Sequence, residues 1–151
     1  MNTKDMKILS HLRNDARMSL TSMSKKTSIP ISTIFDKIKL LQDDIIKKHT
    51  TLLDFNKLGY STRASIMIAV DREDKDAVKD YLNKHPSINS VYKVNNGYDF
   101  MVEGIFRQIK DMEDFLDKID SKFQIKDKKS YFIIDELKRE SFMTDSNLIF
   151  D

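Results

Sequence analysis

Between residues 20 and 41 the chain reads LTSMSKKTSIPISTIFDKIKLL, with a single proline dividing two apolar patterns. After it the apolar residues fall at Ile34, Ile38, Leu41 and Ile45. Spacings of four, three and four put them on one face of a helix. A shorter helix is expected over residues 20–27, and the turn between the two is Ser28-Ile29-Pro30. Proline fixes its own φ and has no N–H, so Pro30 suits a helix entrance and not an interior. Ser32 or Thr33 is placed to accept a hydrogen bond from an unpaired N–H of the first turn. The face away from the apolar stripe carries Ser32, Thr33, Asp36, Lys37 and Lys39. A short helix leading into a longer one with polar and basic residues outward describes a helix-turn-helix, whose second helix fits the major groove of DNA. The same pattern also describes an ordinary helical hairpin with a solvated face.

Upstream, Met6, Leu9, Leu12 and Ala16 repeat at helical spacing, with Ile8 widening the stripe, which predicts a helix over residues 5–14. Asp5 stands where a carboxylate favours a helix start. Arg13, Asp15 and Arg17 read as a local ion-pair cluster at the surface. Downstream, residues 45–54 (IIKKHTTLLD) have the composition of a strand. With Lys47, Lys48 and His49 near its start, this strand is either a wing touching phosphates or an edge that pairs with a second copy. FNKLGY, residues 55–60, is a turn, with Gly59 available for positive φ.

From residue 61 the period changes to two. Ala64, Ile66, Ile68 and Val70 alternate with Arg63, Ser65, Met67 and Ala69, a strand over residues 61–71. Residues 73–85 read as a helix with Ala77, Val78, Tyr81 and Leu82 inward, ending before Pro86. A strand over 88–95 leads to Asn96-Gly97, a hairpin signal. The next strand, 98–106, puts Tyr98, Phe100, Val102 and Gly104 on one face and Asp99, Met101, Glu103 and Ile105 on the other. A helix over 109–123 presents Ile109, Met112, Leu116, Ile119 and Phe123, and a strand over 125–137 closes the set. The order βαββαβ is the ferredoxin-like pattern. Two helices on one sheet face leave the other bare. Met67, Met101 and Ile105, with Tyr131 or Phe132, make that face too apolar for water, so a homo-oligomer through it is expected. The fold class is therefore α+β. Residues 1–45 are the helix-turn-helix domain, 46–60 a linking strand and turn, 61–138 the ferredoxin-like domain and 139–151 a tail. In the tail, Leu148, Ile149 and Phe150 either dock on a neighbour or fray.

Composition narrows the function. The 151 residues are 40% hydrophobic and 33% charged, without cysteine, which fits a globular protein with no disulfide or thiolate chemistry. No apolar run approaches the ~20 residues of a membrane span. The first five residues already carry charge, unlike a signal peptide, so a cytoplasmic protein is expected. The net charge of +2 is unevenly spread: residues 1–50 carry +5 and the remainder −3, as suits a nucleic-acid module joined to something else.

Catalytic chemistry finds no support. His11, His49 and His85 lack metal-type spacing, and there is no phosphate-binding glycine loop or nucleophile elbow. No enzyme activity, metal or cofactor is expected. Adjacent Asp43 and Asp44 point different ways on a helix and read as a solvated end. Glu103, between Met101 and Ile105, reads as an inter-subunit ion pair or an effector contact. Asp99 reads as a turn-capping carboxylate or as the partner of an effector amine.

Several segments together resemble the Lrp/AsnC (feast/famine) transcription regulators of bacteria and archaea. They are KILSHLRNDAR (7–17), the helix-turn-helix, LLDFNKLGY (52–60), HPSINSVYKVNNGYD (85–99) and FIIDELK (132–138). The resemblance runs from about residue 5 to 138. It implies a winged helix-turn-helix that binds double-stranded DNA and a ferredoxin-like RAM-type domain that pairs into dimers, which often build octamers; for this chain a homodimer, or a tetramer or octamer of it, is expected. It also implies that an amino acid or similar small effector binds between subunits near a turn that falls here on Gly97, Tyr98 and Asp99, with Ser130 on the closing strand. Three departures stand out. Phe35-Asp36-Lys37 lies where the family is often basic, the glycine after the second helix is missing, and the proline comes one position early.

On this reading Ser32, Thr33, Asp36 and Lys37 reach base edges, while Lys39, Lys47 and Lys48 hold phosphates. A dimer offers its two helices to half-sites about one helical turn apart, ~34–36 Å. The other reading left open is an oligomeric effector-sensing or architectural module with weak, general DNA affinity, which Asp36 and the low net charge favour.

Overall fold

The Asn2 side chain accepts a hydrogen bond from the Asp5 N–H (2.9 Å), and the Asp5 carboxylate accepts one from the Asn2 N–H (3.3 Å). This reciprocal cap satisfies two donors that a helix start leaves unpaired. It begins α1 (Thr3–Asn14) two residues ahead of the expected start. The structure, a computed structural model, describes residues 1–147 and divides into two units, Met1–Leu52 with the segment from Leu137 onward, and Leu53–Glu136. Leu148, Ile149 and Phe150, the apolar end of the tail, lie outside the described residues.

In the first unit α1 is followed by α2 (Leu20–Thr27) and α3 (Ile31–Asp44). Ser19 caps α2 by accepting from the Ser22 N–H. The turn works through Ser28 at φ 58°, a left-handed conformation that reverses the chain in three residues. Ser24 Oγ donates to the Ile29 carbonyl across it (2.6 Å). Pro30 is the N-cap of α3, which carries no side-chain cap, so Ser32 and Thr33 do not play the capping role expected of them. They already lie inside the helix. Ile8, Leu9, Met23, Ile29, Ile34 and Leu41 form a buried core, with Leu12, Ile38, Ile46 and Met143 packed on it. Ala16, expected in the α1 stripe, sits exposed in the turn after the helix. Arg13 is not part of a local cluster with Asp15. It pairs with Glu140 (3.2 Å) and donates to the Phe142 carbonyl (2.9 Å), while Asp15 accepts from the Arg17 N–H. Residues 46–54, expected as a strand, carry no ladder. A strand needs a neighbouring strand for its backbone groups, and no described strand pairs with this segment.

The second unit contains β1 (Thr62–Val70), α4 (Lys75–Lys84), β2 (Ile88–Lys93), β3 (Phe100–Phe106), α5 (Ile109–Lys122) and β4 (Ile125–Phe132). The sheet order is β2-β3-β1-β4, antiparallel throughout. Ala64, Ile66, Ile68 and Val70 of β1 and Phe100, Val102 and Phe106 of β3 face Val78 and Leu82 of α4 and Met112, Phe115, Leu116 and Ile119 of α5. Each of these side chains larger than Ala64 contributes roughly 1.5–3 kcal/mol on leaving water, and together they hold the helices on this sheet face. Two expected inward residues, Ala77 and Ile109, are exposed, because both lie at the first turns of their helices beyond the sheet's cover. The 98–106 and 125–137 strands are shorter than expected. β4 ends at Phe132, opposite Ala64, with one further bond from the Ile133 N–H to the Arg63 carbonyl (2.9 Å).

Candidate nucleic-acid interface and effector turn

Ser32, Asp36 and Lys39 are exposed on α3, Thr33 is half-buried, and Ile34 and Leu41 are fully covered on the opposite side. The Lys39 ammonium rests 5.4 Å from the centroid of the Phe35 ring. Lys37 behaves differently. Its ammonium is 2.7 Å from Asp5 Oδ1, and the two side chains are only 22% and 18% exposed. This pair, with the Asn2 N–H, holds the Asp5 carboxyl below its ordinary range against the opposing effect of its burial. Lys37, expected among the residues at base edges, is therefore tied to the start of α1 in the folded chain. Periodicity placed it outward; only the packing of α1 across α3 shows what it meets. Lys47 and Lys48 are exposed in the extended stretch after α3.

Three further residues join this surface. Lys25 and Lys26 are exposed in the last turn of α2, where cations suit the helix dipole. The positive charge of Lys26 adds to burial in lowering the pKa of His11. Phe35 is 50% exposed. Its signal was in the sequence, since it falls off the 34-38-41 stripe of an amphipathic helix.

The second constellation is the β2–β3 hairpin. Asn96 (φ 67°) and Gly97 (φ 91°) make its turn, and the Val94 N–H donates to the Asp99 carbonyl. The Asp99 carboxylate accepts from the Val70 N–H (2.8 Å) and lies 3.1 Å from Lys75 at the start of α4. Burial alone would raise its pKa, but the Val70 N–H and Lys75 outweigh it and the carboxyl stays below its ordinary value. Tyr98 donates its hydroxyl to Asp127 of β4 (2.7 Å), which pushes the phenol pKa up to about 12. Ser130 is not part of this group. It stands opposite Ile66, while Asp127 stands opposite Ala69, three residues or roughly 10 Å away along β4. Lys75 and Asp127 were not anticipated, because their contacts span elements distant in sequence.

Glu103 also finds its partners within the chain. It accepts from Arg63 (2.9 Å) and Asn89 (2.6 Å), and Arg63 reaches Glu136 as well. Within the chain, Glu103 is thus held in a network with Arg63, Asn89 and, through Arg63, Glu136. The surrounding open sheet face shows Met67, Met101, Ile105, Tyr92 and Tyr131. Phe132 is excluded from that face, since it pairs with Ala64 and follows it to the helix side. A hollow of about 670 Å³ lies at the edge of this face, walled among others by Leu53, Phe55, Tyr60, Ile105 and Arg107. None of Gly97, Tyr98, Asp99 or Ser130 lines it.

Comparison with known proteins matches the two parts of the chain separately. Residues 1–44 match the family profile described as winged helix-turn-helix DNA-binding, and residues 63–142 match the Lrp/AsnC ligand binding domain. The HTH-type transcriptional regulator FL11 of Pyrococcus horikoshii is 36% identical over 118 residues, 78% of this chain and 78% of that protein. The glutamate uptake regulatory protein of Zymomonas mobilis is 26% identical over 143 residues, covering 92% and 87% of the two chains. Among solved structures, a Neisseria meningitidis transcriptional regulator in complex with L-methionine superposes with a TM-score of 0.86 at 20% identity, covering 92% of this chain and 93% of that one. E. coli AsnC superposes at 0.81 with 18% identity, over 92% and 95%.

Proposed function

The chain belongs to the Lrp/AsnC family of transcriptional regulators, and from that premise we propose that it is a homodimer that reads specific operators by setting α3 of each subunit into the major groove. It is a DNA-binding regulator and not an enzyme. The observation that carries the proposal is the split of α3: Ile34 and Leu41 are buried, while Ser32, Phe35, Asp36 and Lys39 stand in solvent on a helix of 14 residues. In this reading Ser32, Thr33 and Asp36 face base edges, and Lys39, Lys47 and Lys48 neutralise phosphates. The open sheet face forms the dimer.

Gel shifts against genomic fragments at two salt concentrations test it. Retention of a subset sharing a sequence at the higher salt is expected. Uniform retention that salt abolishes would instead mark a general binder.

An amino-acid effector fits the hairpin turn. The Lys75–Asp99 pair offers one cation and one carboxylate, the complement of a zwitterion, with the Tyr98–Asp127 hydrogen bond adjoining it in the same turn. A thermal shift on adding one of the amino acids, lost in Asp99→Asn, is the expected result. No shift with any amino acid would remove that part of the proposal.

A further inference from the structure

Along one edge of α3 run Ile31, Phe35 and Lys39, one helical turn apart and so stacked above one another. Ile31 is 45% and Phe35 50% exposed, although both are large apolar side chains on a helix whose core face is already filled by Ile34 and Leu41. The helix carries two cations, Lys37 and Lys39. Lys37 is held by Asp5, and the Lys39 ammonium sits over the Phe35 ring. With Ser32 and Asp36 beside them, the exposed first two turns present an apolar ring, a hydroxyl and a carboxylate, and no cation.

That inventory limits what the helix can read. Guanine offers two acceptors in the major groove, O6 and N7, and is matched by Arg or Lys. The first two turns of α3 have no such group to offer. An aromatic ring pressed on a purine N7 or a cytosine amino group strips water from it and returns no hydrogen bond. The thymine C5-methyl is the apolar group on a major-groove edge, and Phe is among the side chains suited to it. DNA as the occupant also agrees with charge, since residues 1–50 carry +5.

We infer that Phe35 is a specificity-determining residue that reads the C5-methyl of a thymine in each half-site. The inference rests on the reading that α3 enters the major groove. Lys39 holds the ring from one side while its ammonium remains near the phosphates.

The test uses the full chain and the operator it selects from random duplexes. Each thymine of that operator is replaced in turn by deoxyuridine, which removes only the methyl group. Binding is followed by fluorescence anisotropy at fixed salt. At one thymine per half-site the substitution should weaken binding by roughly fourfold, the worth of one buried methyl. At the same position 5-methylcytosine should bind more tightly than cytosine. Phe35→Ala should bind thymine and deoxyuridine operators alike, with the salt dependence of the parent protein. Phe35→Leu, which keeps an apolar tip and helix propensity, should retain part of the discrimination. Indifference of the parent protein to every thymine methyl overturns the inference, and so does Phe35→Ala discriminating as the parent does. A change in self-association by Phe35→Ala without a change in methyl discrimination also overturns it and assigns the ring to a protein contact. If the chain selects no shared sequence, the regulator reading and this inference fall together. If it selects one and ignores the methyl, only this inference falls.

Discussion

Lys37 and Lys39 are two residues apart on α3, yet they face different partners. The Lys37 ammonium is bonded to Asp5 in a largely covered pair. Lys37→Ala should therefore cost about 1 kcal/mol of stability. It should leave the salt slope of DNA binding unchanged. Lys47→Ala should do the reverse, weakening binding to all sequences and flattening the slope by about one unit, with little change in the unfolding midpoint. Urea unfolding and anisotropy titrations at several salt concentrations separate the two. His85 sets a pH dependence in the same way. It packs 4.8 Å from the Phe115 ring and beside Tyr81, and its Nδ1 accepts from the Ser87 N–H. Burial, with Lys118 and Lys122, lowers its pKa below 6.5. Between the folded and unfolded values the unfolded chain binds more protons, so stability falls as the pH drops below about 6.5. His85→Gln should lose less stability than the parent between about pH 7.5 and about pH 5.5, as thermal melts will show.

At the scale of elements, the helices and strands follow from period, and their ends follow from particular groups. α1 starts at the Asn2–Asp5 cap, the hairpin turns where Asn96 and Gly97 tolerate positive φ, and α3 enters through Pro30. β3 contains a glycine with a packing reason. A Cβ on Gly104 would lie 2.5 Å from the Phe106 ring, which is itself buried and 5.6 Å from the Phe115 ring. Gly104→Ala should cost about 1–3 kcal/mol through displacement of that ring. A lowered urea midpoint with an unchanged slope is the expected signature. The elements were legible because apolar residues at periods of 3.6 and 2 are local signals. Their edges were less so. Ala77 and Ile109 fit the stripes of α4 and α5, but whether a first turn is covered depends on where the sheet ends. Phe132 against Tyr131 could be decided only by the β1–β4 register, which sends Phe132 to the Ala64 side.

For the whole molecule, the proposed dimer turns on the open sheet face. Met67 and Met101 are cross-strand partners near its centre, flanked by Tyr92 and by the Arg63–Glu103 network. Met101→Lys should raise the dimer dissociation constant at least about tenfold, since twofold symmetry places two new charges in one apolar interface. Sedimentation velocity over a dilution series measures it, and a sedimentation profile unchanged from the parent would place the dimer contact elsewhere. The tail adds something that local pattern did not contain: the segment from Leu137 clusters with the helix-turn-helix unit, through Arg13 on Glu140 and Phe142 and through Met143 on its core.

The order of apolar and polar residues determined the three helices, the βαββαβ succession, the turn at Gly97 and the outward position of Ser32, Asp36 and Lys39, since each depends on neighbours a few positions away. Which partner a charged or aromatic side chain meets was settled by folding. Asp5 takes Lys37, Lys75 takes Asp99 and Glu103 takes Arg63 across separations of 32, 24 and 40 residues, too far for any local period to encode.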